Sequence, residues 1–312
     1  MIRIITDSAA DYGVRENTKE LTIVPLIVSF DGVEYFDSVT ITAEEFYTRL
    51  EAEENFPKTS CPNPNTFYEA MKPGVDAGDE ILVVCLSTGI SGTFGSAKLA
   101  ADMFPDAKIT VYDTLQATMG QRILVDLALR LAKEGKTVTE IVAEMDEVSP
   151  RVTTLALVDD LSYALKGGRI SKAKAFVGKI ARIKSTIDVD EKGRARNSHS
   201  LIGKARAYKY MKKRFELLEI DKTFPLYTGY TDNSANLDEF LLKIQSQLDG
   251  VEMINGRWGP TVGAHAGKSG FGIFYVRKFA KEDTFLDRIK GQFEETRDQL
   301  EEKLKRNRDK SE

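Results

Sequence analysis

Residues Ser87-Thr88-Gly89-Ile90-Ser91-Gly92-Thr93-Phe94-Gly95-Ser96-Ala97 combine hydroxyls and glycines in an order suited to holding an anion. They follow the apolar run Ile81-Leu82-Val83-Val84-Cys85-Leu86, which reads as a buried parallel strand. They precede a helical pattern with Ala97, Ala100, Ala101 and Phe104 on one face. Open α/β sheets bind ligands at this strand-to-helix edge. Free N–H groups and the positive end of the helix dipole favour negative charge there, glycines admit close approach, and Ser91 and Thr93 add donors. A plain capped turn draws on the same residue types.

Three further stretches carry chemistry. Lys58-Thr59-Ser60-Cys61-Pro62-Asn63-Pro64 reads as a rigid, hydroxyl-rich loop whose second proline opens a helix toward Phe67 and Met71. His265 stands in the glycine-rich stretch Gly259 to Gly270 and is one of two histidines in the chain, which points to a site role. His199, on a polar hairpin arm, reads as a surface residue. Arg169 follows Gly167-Gly168, either as a solvated arginine beyond a helix cap or as a guanidinium fork for a carboxylate, a phosphate or an acidic partner.

Several chemistries lack their signatures. No Gly-Lys-Ser/Thr follows the glycines of the Ser91 stretch, so it is not a Walker loop. In Gly89-Ile90-Ser91-Gly92 the second glycine comes one position early for a nucleophile elbow. A phosphotransferase or hydrolase acting through Ser91 and His265 remains the alternative reading, with no acid assigned to His265. Separated histidines, together with the lone Cys61 and Cys85, do not make a zinc site, and no metal or cofactor is expected.

The elements that must position these residues alternate. Strands are expected at Ile2–Ile5, Leu21–Phe30, Ile81–Leu86 and Lys108–Tyr112, with a hairpin turn at Asp31-Gly32 and a capping box at Thr42 to Glu45. Helices are expected at Gly120–Glu134, stopped by Gly135, and at Thr139–Val148. This is the pattern of a doubly wound, mainly parallel α/β domain over residues 1–150. Beyond Ser149-Pro150 come a strand at Val152–Val158, a partly apolar helix at Ala175–Ile183, a hairpin over Thr186–Leu201, a basic helix from Lys204 and further extended segments. They suggest an α+β domain over 151–285. Residues 286–312 read as a charged helical extension with a narrow apolar stripe, either solvated or a contact surface for a regulatory module.

The chain has 312 residues, 42% hydrophobic and 29% charged, with a net charge of −4, as in an ordinary soluble protein and unlike a nucleic-acid binder. No apolar run approaches the length of a membrane span, the amino terminus reads as a strand rather than a signal peptide, and the two cysteines fit a reducing cytoplasm.

Taken together the chain resembles the DegV family of bacterial fatty-acid-binding proteins, the binding subunits of fatty acid kinase. The resemblance rests on Thr6-Asp7-Ser8, Val24-Pro25-Leu26, Tyr35-Phe36-Asp37, Thr59-Ser60-x-Pro62, Leu86-Ser87-x4-Gly92-Thr93, Leu165 to Ile170 and Gly263-x-His265-x-Gly267. It implies a long-chain fatty acid such as palmitate in a tunnel between two domains, in a binding subunit that is not itself the catalyst. Thr59, Ser91, Gly92 and His265 would hold the carboxylate, with Ser60, Thr93 and Ser269 as additional contacts. Arg169 would engage the kinase partner, and any membrane contact would be transient. Cys61 and Lys268 depart from the family pattern, and Lys268 would set a cation near the head group.

Overall fold

The computed structural model describes residues 1–12, 16–52, 55–170 and 183–278. The helices expected at Ala175–Ile183 and beyond Leu286 lie outside the described residues, apart from Ile183 itself. In chain order the elements are β1 (Ile2–Asp7), β2 (Leu21–Val24), β3 (Ile27–Phe30), β4 (Val33–Phe36), α1 (Ala43–Ala52), β5 (Lys58–Ser60), α2 (Pro64–Asp76), β6 (Glu80–Cys85), α3 (Thr93–Ala101), β7 (Ile109–Asp113), α4 (Met119–Lys133) and α5 (Val138–Val148). There follow β8 (Val152–Val158), α6 (Ser162–Lys166), β9 (Ile183–Val189), β10 (Ala195–Ile202), α7 (Lys204–Leu217), β11 (Leu226–Tyr230), α8 (Ala235–Ile244), β12 (Met253–Arg257), α9 (Pro260–Ala266) and β13 (Phe271–Val276).

Strands β2, β1, β6 and β7 form a wholly parallel sheet in that order. Its central strands are apolar over most of their length, Ile4-Ile5 and Ile81 to Cys85, because helices cover both faces. Ile5, Ile81, Val83 and Cys85 meet Phe67 and Met71 of α2 and Ala97 and Ala100 of α3. The alternate residues Ile4, Leu82 and Val84 point the other way, to Ile123, Leu124 and Leu127 of α4. That second core continues without a break into Ala156, Val158, Tyr227, Trp258 and Phe274 of the other half. Helix α4 is thus shared by two sheets, and Met1–Arg277 forms one compact unit.

The second sheet has the order β10-β9-β8-β13-β11-β12 and is antiparallel except for β11 with β12. With its helices it is the α+β layer that the alternation of hairpins and helices suggests.

The segment Leu21–Phe30 differs from expectation. It is two strands in two sheets, because Pro25 offers no N–H to a ladder and the Leu26 N–H is taken by Ser8 Oγ at 3.0 Å. Strand β3 instead centres a small sheet, β4-β3-β5. Lys58–Ser60, expected as a loop, is the strand β5 on its edge, with Thr59 opposite Val28. The Asp31-Gly32 turn carries positive φ at both residues (47° and 86°), the geometry that matches strand twist in a two-residue hairpin. The capping box at Thr42 is formed, with Glu45 Oε2 accepting from Thr42 N at 2.8 Å.

Candidate functional site

Between the parallel sheet and the six-stranded sheet lies a cavity of about 150 Å³. One face of the six-stranded sheet supplies its floor. Thr154, Ala156 and Val158 recur every second residue of β8, and the register sets Phe274 beside Thr154, Ile187 beside Ala156, and Ala195 beside Val189. The small Ala156 and Ala195 leave room where larger residues would close the space. Ala9, Leu26, Leu86, Ile90 and Ala117 form the opposite wall. The interior is almost wholly apolar.

The polar residues gather from three segments. Thr59, Ser91 and His265 all line the cavity. Thr59 Oγ1 and His265 Nε2 are hydrogen-bonded at 2.9 Å, and Ser91 Oγ is 2.9 Å from Thr93 Oγ1. Burial, and secondarily the Arg169 guanidinium, push the His265 imidazole down to about 4, so the ring is neutral at physiological pH. Among the described residues its Nδ1 is buried without a hydrogen-bond partner. A Cβ on Gly167 would lie 2.3 Å from that nitrogen, which explains the glycine at this position.

The stretch around His265 is the short helix α9 rather than an exposed glycine loop. Pro260 sits in its first turn, and Gly263 lets it approach α1, where a Cβ would lie 2.6 Å from Tyr47 Oη and 2.7 Å from Phe46 Cε1. The Ser91 loop leaves β6 as expected and is braced at its root. Asp7 Oδ2 accepts from Leu86 N at 2.8 Å and from Gln121 Nε2 at 3.0 Å. Burial raises this carboxyl to about 6. On its outer side the loop meets the β9–β10 turn. Ser87 Oγ donates to Gly193 O at 2.8 Å, and a Cβ on Gly89 would lie 2.5 Å from Lys192 O.

The remaining expected residues distribute unevenly. Ser60 lines the cavity at an exposed rim, and Thr93 is buried against Ser91. Gly92 is exposed at the N-cap of α3, beside Cys61 and outside the lining. Ser269 is exposed and also outside it. Lys268 does not bring a cation to the site. Its ammonium pairs with Glu51 at 3.0 Å. Arg169 does reach the cavity wall, and its Nη1 donates to Gly167 O at 2.6 Å. Ser91 is hydrogen-bonded to Thr93 and His265 to Thr59, and among the described residues no hydrogen bond joins Ser91 to His265.

Sequence reasoning found the β9–β10 hairpin but missed the packing of its turn on the Ser91 loop, the sheet floor, and the roles of Asp11 and Asp37, which accept from the first turn of α9. The Thr6-Asp7-Ser8 group at a strand's carboxyl end was the one local signal for such a polar network. Among the described residues no helix is long and apolar enough to cross a membrane, and no cluster of His, Cys, Asp and Glu is arranged to hold a metal ion.

The same arrangement has relatives. A DegV domain-containing protein of Lactococcus lactis is 33% identical over 290 residues, covering 90% of this chain and 99% of its own. A fatty-acid-binding DegV family protein from Thermus thermophilus shares the fold with a TM-score of 0.80, at 26% identity over 88% of this chain and 99% of the other. A stearic-acid-binding protein from Eubacterium ventriosum does so with a TM-score of 0.79, at 28% identity over 89% and 99%. The family model described as "Uncharacterised protein, DegV family" matches residues 1–278, the whole span that carries the three converging segments, and the chain belongs to the DegV family.

Proposed function

We propose that this protein binds a long-chain fatty acid in the cavity and presents its carboxylate to a separate kinase, which phosphorylates it to an acyl phosphate. The observation that carries this reading is an apolar cavity with Thr59, Ser91 and His265 brought together on its wall. The Thermus thermophilus and Eubacterium ventriosum proteins, which bind fatty acids, lend it support. The tail supplies the affinity: at about 0.8 kcal/mol per buried methylene, a long acyl chain offers on the order of 10 kcal/mol before association costs. The head group then needs only orientation.

A neutral His265 suits that task. With the proton on Nε2 donated to Thr59 Oγ1, the Thr59 hydroxyl hydrogen is free to donate to the carboxylate, as is that of Ser91. Gly92, at the start of α3, adds backbone close to this end, and Ser60 closes the rim. In this reading the 1–150 part supplies Thr59, Ser91 and Gly92 to the head group, and the 151–285 part supplies the floor and His265. Arg169 faces the incoming kinase, the chain itself performs no catalysis, no cofactor takes part, and the complex works in the cytoplasm.

Native mass spectrometry of the purified protein, followed by incubation with stearate or palmitate, tests the binding step. The expected result is one fatty acid per chain; a protein that stays empty at saturating ligand refutes it. Acyl phosphate formation with ATP and a fatty acid kinase, and none with either protein alone, tests the presentation step.

A further inference from the structure

Two carboxyl groups from distant stretches meet under the first turn of α9. Asp11 Oδ1 accepts from Gly259 N at 2.9 Å, and Asp37 Oδ2 accepts from Thr261 N at 3.1 Å. Between them Pro260 has no N–H to give. Gly259 is the point of convergence, since a Cβ there would lie 3.1 Å from Asp37 Oδ1 and 3.7 Å from Asp11 Oδ1. What they seat matters for the cavity. Thr261, Val262, His265 and Ala266 all line it, and His265 stands one helical turn beyond Thr261.

The two groups are supplied unequally. Asp37 receives Ser8 Oγ at 3.1 Å and Ser38 Oγ at 2.9 Å besides the Thr261 N–H. Asp11 receives only the Gly259 N–H, and among the described residues its Oδ2 is buried with no partner. A buried ionised carboxylate oxygen with nothing donated to it costs far more than a neutral carboxyl oxygen in the same place. Two ionised carboxylates so close, away from water, also repel one another.

We propose that Asp11 and Asp37 are positioning residues, a carboxyl pair holding a single proton on Asp11, which seats the first turn of α9 and so keeps His265 against Thr59. Asp37 is the anion on the helix N–H groups, and Asp11 is the neutral acid beside it. The surroundings agree. Burial pushes Asp11 well above the usual carboxylate range, Asp37 and Asp7 add to the shift, and Arg122 opposes it. Asp37 is raised by burial but held back by its donors from Thr261, Ser38 and Ser8. Among the described residues Tyr47 on α1 also faces the pair, and its hydroxyl donates to Trp258 O at 3.0 Å. The binding arm of the test rests on the fatty-acid reading; the spectroscopic arm does not.

The test uses the full chain and the variants Asp11→Asn, Asp11→Ala and Asp37→Asn, with folding of each checked by thermal unfolding. Infrared difference spectra at about pH 8, above the range in which Asp7 titrates, should show a protonated-carboxyl band in the wild type that Asp11→Asn removes. Asparagine copies a protonated carboxyl, so Asp11→Asn should keep the His265 imidazole resonance, assigned with His265→Gln, and hold stearate affinity to within about twofold. Asp11→Ala and Asp37→Asn should move that resonance and weaken stearate by about tenfold or more. Raising the pH until Asp11 ionises should weaken binding in the wild type and leave Asp11→Asn unaffected. Absence of the band, or Asp11→Asn behaving like Asp11→Ala, overturns the proposal. If no variant, wild type included, takes up stearate, the fatty-acid reading fails, while the band and the resonance still decide the pair.

Discussion

Thr59 and His265 are separated by 206 residues, yet Thr59 Oγ1 and His265 Nε2 lie 2.9 Å apart on the wall of an apolar cavity. One comes from the edge of a small sheet and the other from the last turn of α9. Because His265 is neutral, this contact joins two uncharged groups, and it can orient a hydroxyl toward an anion without carrying charge itself.

Thr59→Ala combined with Ser91→Ala removes the two lining hydroxyls assigned to the carboxylate. A hydrogen bond to a charged group contributes about 1.5–3 kcal/mol, so the double variant should bind stearate at least about a hundredfold more weakly. Titration with a fluorescent fatty acid gives the comparison, and unchanged affinity would remove the head-group assignment.

Ala156→Leu places a larger side chain on the cavity floor. In a filled core such a change costs about 1–3 kcal/mol, but here the side chain has empty space to enter. Thermal stability of the lipid-free protein should be unchanged or higher while acyl-chain binding falls by about tenfold or more. Calorimetry and lipid titration on the same samples separate the two effects, and retained binding would show that the tail lies elsewhere.

Arg169→Ala deletes the guanidinium next to His265. Lipid affinity should stay within about threefold, since the tail dominates binding, while acyl phosphate production with a kinase falls sharply. The imidazole of His265, relieved of that cation, should titrate at a higher pH by NMR. Loss of lipid binding with phosphorylation intact would reverse the assigned role.

Gly89→Ala drives a methyl group toward Lys192 O, 2.5 Å from the new Cβ, and must push the β9–β10 turn off the Ser91 loop. The expected cost is about 1–3 kcal/mol in stability. Denaturant unfolding checks it, and a neutral result would mean the turn moves freely.

Stability against pH should reveal two opposed groups. His265, lowered from 6.5 to about 4, binds a proton more readily in the unfolded chain, so its contribution rises as pH rises from about 4 to 6.5. Asp7, raised from 3.8 to about 6, keeps its proton longer when folded, so its contribution falls as pH rises from 3.8 to about 6. Each amounts to at most about 3 kcal/mol. Relative to wild type, His265→Gln should lose stability with rising pH in that window and Asp7→Asn should gain it. Parallel curves for all three proteins would contradict both shifts.

Much of this was legible in the chain itself. The continuous apolar run from Ile81 to Leu86 declared a strand covered on both sides, and Gly135 and the Thr42 box marked helix ends because their chemistry is local. The residues Thr59, Ser91 and His265 stood out by type and spacing. The strand at Thr59 did not, since three residues of edge strand leave no periodicity to read. Lys268 was misplaced because the ion that pairs with it, Glu51, is remote in sequence.

Composition and local pattern therefore determined the layers, the turns and the identities of the polar residues, for these depend on contacts within a few positions along the backbone. Only the tertiary structure decided that Ala156 opens a floor, that Asp11 and Asp37 meet under α9, and that His265 is half-buried and uncharged. Each of those depends on which distant groups exclude water or donate a hydrogen bond, and that information exists only once the sheets have packed around α4.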